Sequence, residues 1–174
     1  MAATKRLFVL RHAKSSWDNP GLEDHERPLA PRGQRACAVM AEHLRAHTIE
    51  PDLVLCSSAR RTRETLEAVA PTGQHVIEPE LYSATAEEVL DRLHRLSDDV
   101  GSAMVIGHNP TVQMLVLRLA GRDGADRAAV ERKFPTGALA TLTFECGWDE
   151  LGPGCARLAE FLTPKAVSPS SRAA

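Results

Sequence analysis

The chain has 174 residues, 43% of them hydrophobic and 25% charged, a make-up that suits one domain with a continuous core and leaves little room for two. Its formal net charge of −2 excludes a general affinity for nucleic acid or for an anionic membrane, so any anion site has to be local. The four cysteines, Cys37, Cys56, Cys146 and Cys155, lack metal-type spacing and are expected to be reduced and structural.

Residues 6–10 form a short apolar run cut off by Arg11 and His12, and they are read as a buried first strand. That run is too short for a signal-peptide core and no later stretch approaches membrane-spanning length, so the cytoplasm is the expected location. A polar loop over 13–30 follows. Pro31 stands where a helix can begin, and Ala36, Val39, Met40 and Leu44 recur at helical spacing up to about His47. Residues 52–56 are a second strand, after which Ser57 and Ser58 can cap a helix over 60–70 that Pro71 and Gly73 stop. A brief strand at 75–78 leads through Pro79 to a loop, and Thr85 opens a helix over 86–96 with Val89, Leu90 and Leu93 inward. Residues 103–107 are the next strand, and a helix over 111–120 is broken by the glycines at 121 and 124.

After a charged stretch with short-helix character, 138–145 alternates as a strand does, and 156–162 is a final strand across a Gly/Pro turn. From Pro164 the composition turns to Ser, Pro and Ala, which divides the chain into a domain over 1–163 and a tail over 164–174 expected to be disordered. The early alternation of strands and helices implies a three-layer α/β/α sandwich with a mostly parallel central sheet of about six strands.

In such sheets, ligand sites collect beyond the carboxyl ends of the strands. Three of the expected ends carry matching chemistry: Arg11-His12 after the first, Ser57-Ser58 and then Arg60-Arg61 after the second, and Gly107-His108-Asn109-Pro110 after the fourth. A mostly cationic cluster is unfavourable to assemble unless an anion binds there, and a phosphoryl group supplies that charge. Arginine's planar fork holds two of its oxygens, and helix N-termini add backbone N–H donors.

Arg11-His12-Ala13 resembles the RHG signature of the histidine phosphatase superfamily, the phosphoglycerate-mutase-like enzymes. Ser57 to Thr65 resembles their SxxxRxxxT segment, and Gly107-His108 their late histidine motif. The run Arg11-His12-Ala13-Lys14-Ser15-Ser16-Trp17, with Arg27-Pro28-Leu29, is similar to the small bacterial phosphohistidine phosphatases of the SixA type. The resemblance extends from residue 5 to about 162. It implies a phosphoglycerate mutase-like fold and hydrolysis of phosphate monoesters or phosphoramidates by a ping-pong route, with a phosphorylated His12 as intermediate. The expected substrate is a phosphorylated protein carrying phosphohistidine, for example a phosphotransfer domain, or a small phosphate ester. No metal or other cofactor is implied, and neither nucleic acid nor membrane is an expected partner.

A neutral His12 with one ring nitrogen donating to a backbone carbonyl presents the other to phosphorus; protonated, it cannot attack. Arg11, Arg61 and His108 are expected to grip the phosphoryl oxygens, with Ser57 and Asn109 beside them. Counting back from Thr65 favours Arg61, while a shift of one residue would use Arg60. Arg27 is a candidate for the pocket's edge. Glu80 is the nearest candidate for an acid to protonate the leaving group, although it does not align cleanly with the family pattern. Without a positioned acid, a labile P–N bond is the favoured target. Ala13 stands where glycine is usual, and Glu64 where glutamine is common, expected on a helix surface.

Asp24-His25-Glu26 lacks the spacing of a recognised metal site. His43, His47, His75 and His94 are expected to be ordinary surface residues. Two rival readings are a mutase of the same superfamily, against which the short chain argues, and a silent module that binds phosphoprotein, against which the retained Arg11, His12, Arg61 and His108 argue.

Overall fold

The structure, a computed structural model, describes residues 3–169. The elements run β1 (Lys5–Arg11), α1 (Pro31–Ala46), β2 (Leu53–Ser57), α2 (Arg60–Val69), β3 (Gln74–Glu78), α3 (Ala86–His94), β4 (Ser102–Gly107), α4 (Thr111–Leu119), α5 (Ala125–Arg132), β5 (Leu139–Phe144), β6 (Arg157–Leu162) and α6 (Pro164–Val167). Six strands form one sheet in the order β3-β2-β4-β1-β5-β6. The first four are parallel, and β5 and β6 join antiparallel, so the sheet is mixed but mostly parallel.

Strand side chains point alternately to the two faces, and both faces of the central strands are covered, which is why β1 and β4 read as continuous apolar runs. From β1, Leu7 and Val9 enter a core with Val89, Leu93, Leu115 and Leu119 of α3 and α4. Phe8 and Leu10 enter a second core with Cys37, Met40, Leu44 and Leu66 of α1 and α2. This makes the three layers of an α/β/α sandwich.

Strand register then sets up the site. Arg11 of β1 lies opposite Gly107 of β4, and Cys56 of β2 lies opposite Ile106. The parallel strands β1, β4 and β2 therefore end level with one another, and His12, His108 and Ser57 emerge along one edge. Two close backbone approaches fix the loops there. A Cβ at Gly33, on the first turn of α1, would lie 2.2 Å from the Lys14 carbonyl oxygen, and the Ala30 N–H donates to that same oxygen at 2.8 Å. Gly137, at φ +76, donates its N–H to the carbonyls of Arg11 and His12, holding the turn after β1 against the start of β5.

Several expectations need correcting. α2 is not capped by Ser57 or Ser58: its N-cap is Ala59, with no side-chain cap bond, and both serines are turned to histidines. At α3 the expected cap is present as a full capping box between Thr85 and Glu88. His43 is buried and stacks on His47 with ring centroids 4.1 Å apart, rather than lying on the surface. The tail is ordered at its start, where Pro164–Val167 forms one helical turn and Val167 packs against the second core; residues 170–174 lie outside the described residues. Among the described residues no helix is long and apolar enough to cross a membrane.

Candidate active site

His12 follows β1 directly and is anchored by its backbone, with its N–H donating to Gly107 O at 3.1 Å. Its Nδ1 lies 2.8 Å from Ala13 O. A carbonyl can only accept, so Nδ1 carries the proton and Nε2 keeps its lone pair. Burial first, and then the neighbouring His108, Arg61 and Arg11, push its pKa down to about 3. The ring is thus neutral across the neutral pH range.

His108 faces it across the edge, ring centroids 5.3 Å apart. Its Nε2 is 2.7 Å from Ser57 Oγ, and its Nδ1 is 3.3 Å from Arg61 Nη2. A guanidinium has only donors, which assigns Nδ1 as acceptor and makes Nε2–H the donor to the fully buried Ser57. Burial and the Arg61 charge lower the His108 pKa to about 4. Arg11 donates through Nη1 to Phe134 O at 2.8 Å, while its buried Nε has no hydrogen-bond partner. Burial and Arg61 also lower the Arg11 pKa. Arg11, Arg61, His12 and His108 are therefore gathered at one place, where the two guanidiniums disfavour the charged form of either imidazole, an arrangement suited to an anion.

The structure distinguishes the two neighbouring arginines. Arg61 is buried and reaches His108, whereas Arg60 points outward and pairs with Glu64 at 2.9 Å. Glu64 also accepts the Leu29 N–H at 2.6 Å, so it ties the 13–30 loop to α2 and does not enter the site.

Two residues reach the site that the sequence reading did not assign to it, Asp24 and Tyr82. Asp24 lies in a short 3-10 turn, Asp24–Glu26, inside the expected polar loop. Its carbonyl accepts from Arg61 Nη1 at 2.8 Å, and its Oδ2 accepts from Arg61 Nη2 at 3.0 Å and from the Tyr82 hydroxyl at 2.6 Å. The Tyr82 hydrogen bond and then Arg61 hold the carboxyl below its ordinary range, so it stays ionised. Tyr82 packs edge-on to both His25 and His108. The available signals were faint: Asp24 stands in a charged triplet, and Tyr82 is the chain's one tyrosine.

The three remaining candidates, Glu80, Asn109 and Arg27, differ in where the structure sets them. Glu80 is exposed on the turn after β3 and lines a separate groove with Glu78, Asp91 and Arg92, so it is not brought to the histidines. Asn109 spends its amide on Phe134 O and Gln113 Oε1, and its Oδ1 on the Gln113 N–H; it steadies the carbonyl that holds Arg11. Arg27 is buried and organises the loop through Ser16 O, Ser15 Oγ and Asp24 Oδ1, its guanidinium 3.0 Å from the centre of the exposed Trp17 ring. It shares Asp24 with Arg61.

Comparison with known proteins places this geometry in a family. The histidine phosphatase superfamily (branch 1) matches residues 7–87. An uncharacterized protein of Mycobacterium tuberculosis is 40% identical over 159 residues, spanning 90% of this chain and 100% of its own. Phosphohistidine phosphatase SixA of Escherichia coli is 30% identical over 156 residues, spanning 86% of this chain and 89% of its own. Among solved structures, the SixA structure from Nakamurella multipartitia superposes with a TM-score of 0.84 at 30% identity, covering 94% of this chain and 98% of that one. Likeness of this extent, over nearly the whole of both chains, makes the chain a member of the histidine phosphatase superfamily.

Proposed function

We propose that this histidine phosphatase hydrolyses phosphohistidine on a protein, through a phosphorylated His12. The carrying observation is the neutral His12 ring, its proton committed to Ala13 O, set beside His108 with Arg61 and Arg11 adjacent. In the first step Nε2 of His12 attacks phosphorus and the P–N bond to the substrate histidine breaks. The substrate imidazole keeps the electron pair of that bond and leaves neutral if its other nitrogen bears the proton. Arg11 and Arg61 hold the phosphoryl oxygens and stabilise charge that builds between the two nitrogens, and His108 joins them as a donor once the anion draws a proton onto its Nδ1. Water then attacks the phosphorus of phospho-His12, releasing phosphate and restoring the free ring.

Among the described residues no carboxylic acid is placed at the site to protonate a leaving group, which favours this substrate over alcohol phosphates. Glu80 stands elsewhere, and Asp24, the carboxylate that does reach the arginine, is kept ionised by Tyr82 and Arg61. An alcohol leaving group needs a proton as it departs. Transfer from histidine to histidine forms the same kind of bond that it breaks and needs no such donor.

The test compares kcat/KM on a phosphohistidine-bearing carrier protein with values on a panel of phosphate esters that includes p-nitrophenyl phosphate. The carrier is expected to be preferred, and vanadate, which mimics five-coordinate phosphorus, is expected to inhibit. His12→Ala is expected to lower turnover at least about a thousand-fold. Undiminished turnover in that variant refutes the mechanism, and indifference between carrier and esters refutes the substrate.

A further inference from the structure

Beside the site lies a groove of about 470 Å³ whose lining includes Arg11, Lys14, Arg32, Lys133 and Lys165, and no carboxylate. These cations come from four separate stretches: the end of β1 and the loop after it, the first turn of α1, the residue after α5, and α6. All but Arg11 are exposed. None of the exposed four forms an ion pair among the described residues, and no carboxylate in the lining offsets them. In a chain of net charge −2, that is a concentrated and unneutralised field.

The backbone builds this arrangement. Only a residue without a Cβ lets α1 close on Lys14 O, which brings Arg32 beside Lys14. Gly137 does the same for α6: a Cβ there would lie 2.9 Å from the Pro164 ring, whose neighbour is Lys165. Arg11 belongs both to this groove and to the phosphoryl site, so the two are continuous.

We propose that the groove seats an acidic stretch of the protein substrate, flanking the phosphohistidine that enters the site. This rests on the reading of the substrate as a phosphorylated protein. Charge complementarity selects the occupant. Three of the four exposed cations are lysines, point charges on flexible stems that suit scattered carboxylates better than the bidentate grip a compact phosphate calls for. No aromatic side chain lines the groove to stack a base, which disfavours single-stranded nucleic acid.

The test is fluorescence anisotropy with a fluorescein-labelled peptide of alternating Glu and Ser, long enough to span the groove. The probe carries no phosphate, so its binding is read independently of any turnover. The wild-type protein is expected to bind it in a salt-sensitive manner, and Lys133→Glu/Lys165→Glu to bind it roughly ten-fold or more weakly. Lys133→Arg/Lys165→Arg is expected to bind as the wild type does. Turnover of p-nitrophenyl phosphate is expected to stay within about two-fold in every variant, because neither lysine touches the reacting groups. Absence of peptide binding, equal binding by the charge-reversed variant, or tighter binding of an oligothymidylate or of tripolyphosphate than of the peptide would each overturn the proposal. So would a matching loss of p-nitrophenyl phosphate turnover in all the variants. Failure of the wild type to hydrolyse a phosphohistidine carrier while it still binds the peptide would count against the substrate reading alone.

Discussion

Thr65 joins the segment of His12, the proposed nucleophile, to the helix that carries Arg61. It is almost fully buried, its Oγ1 accepts the Ala13 N–H at 3.0 Å, and the same hydroxyl donates to Arg61 O at 2.7 Å. Ala13 O is the acceptor that fixes the His12 tautomer, so one hydroxyl steadies the residue whose carbonyl orients the ring. Thr65→Val keeps the shape and removes the hydroxyl, leaving a buried N–H without its partner. The expected loss is about 1–3 kcal/mol of stability, read from the urea midpoint. kcat is expected to fall more than KM rises, because the tautomer serves the attack and not the initial binding. An unchanged midpoint would show that the hydroxyl contributes nothing.

At the scale of elements, Gly33 offers a contest of two effects with opposite signs. Replacing a helical glycine by alanine ordinarily stabilises, by up to about 1 kcal/mol in a helix interior and by less in a first turn such as this one, through backbone entropy. Here the new Cβ would sit 2.2 Å from Lys14 O and 2.9 Å from Lys14 N, both backbone atoms that cannot swing aside. The steric effect wins, and Gly33→Ala is expected to destabilise by about 1–3 kcal/mol, lowering Tm by roughly 2–4 °C for each kcal/mol. A raised Tm would mean that α1 can slide away from the loop freely.

This contact also marks where the sequence stops being legible. Residues next to the strand ends, His12, Ser57 and His108, could be read in advance because a parallel sheet lines up its carboxyl ends and the apolar runs betray the strands. Arg61 followed from its place four residues before Thr65, in the segment that resembles the family's SxxxRxxxT pattern. Asp24 and Tyr82 could not be read this way, since they reach the site from turns whose path depends on contacts such as Gly33 with Lys14 and Glu64 with the Leu29 N–H. Glu80 was misjudged for the same reason: the short turn at Pro79–Tyr82 sends Tyr82 to Asp24 and leaves Glu80 exposed. The helix at Pro164 was hidden because a single turn has too little periodicity to register, and its seat is made by α1. Val39, one of the apolar positions at helical spacing in α1, lies at the edge where Val167 packs.

For the molecule as a whole, the two site histidines tie stability to pH. Both have an ordinary value of 6.5, which the folded state lowers to about 3 for His12 and about 4 for His108. Below pH 6.5 the unfolded chain takes up protons that the folded chain refuses. The folded state is therefore fully favoured above that pH and loses ground as pH falls toward the folded values. Each histidine contributes at most about 1.4 kcal/mol per pH unit within the window, and the two act in the same direction. Urea midpoints measured at steps from pH 7 to pH 5 are expected to fall steadily, and the slope is expected to shrink in His12→Asn/His108→Asn. Added orthophosphate should also shrink it, since an anion between the arginines and His108 favours the imidazolium and lets the folded state take up a proton as well. A midpoint that stays level over this range, with or without phosphate, would mean that the histidines are solvated in the folded protein and that the site is not the desolvated anion pocket proposed for it.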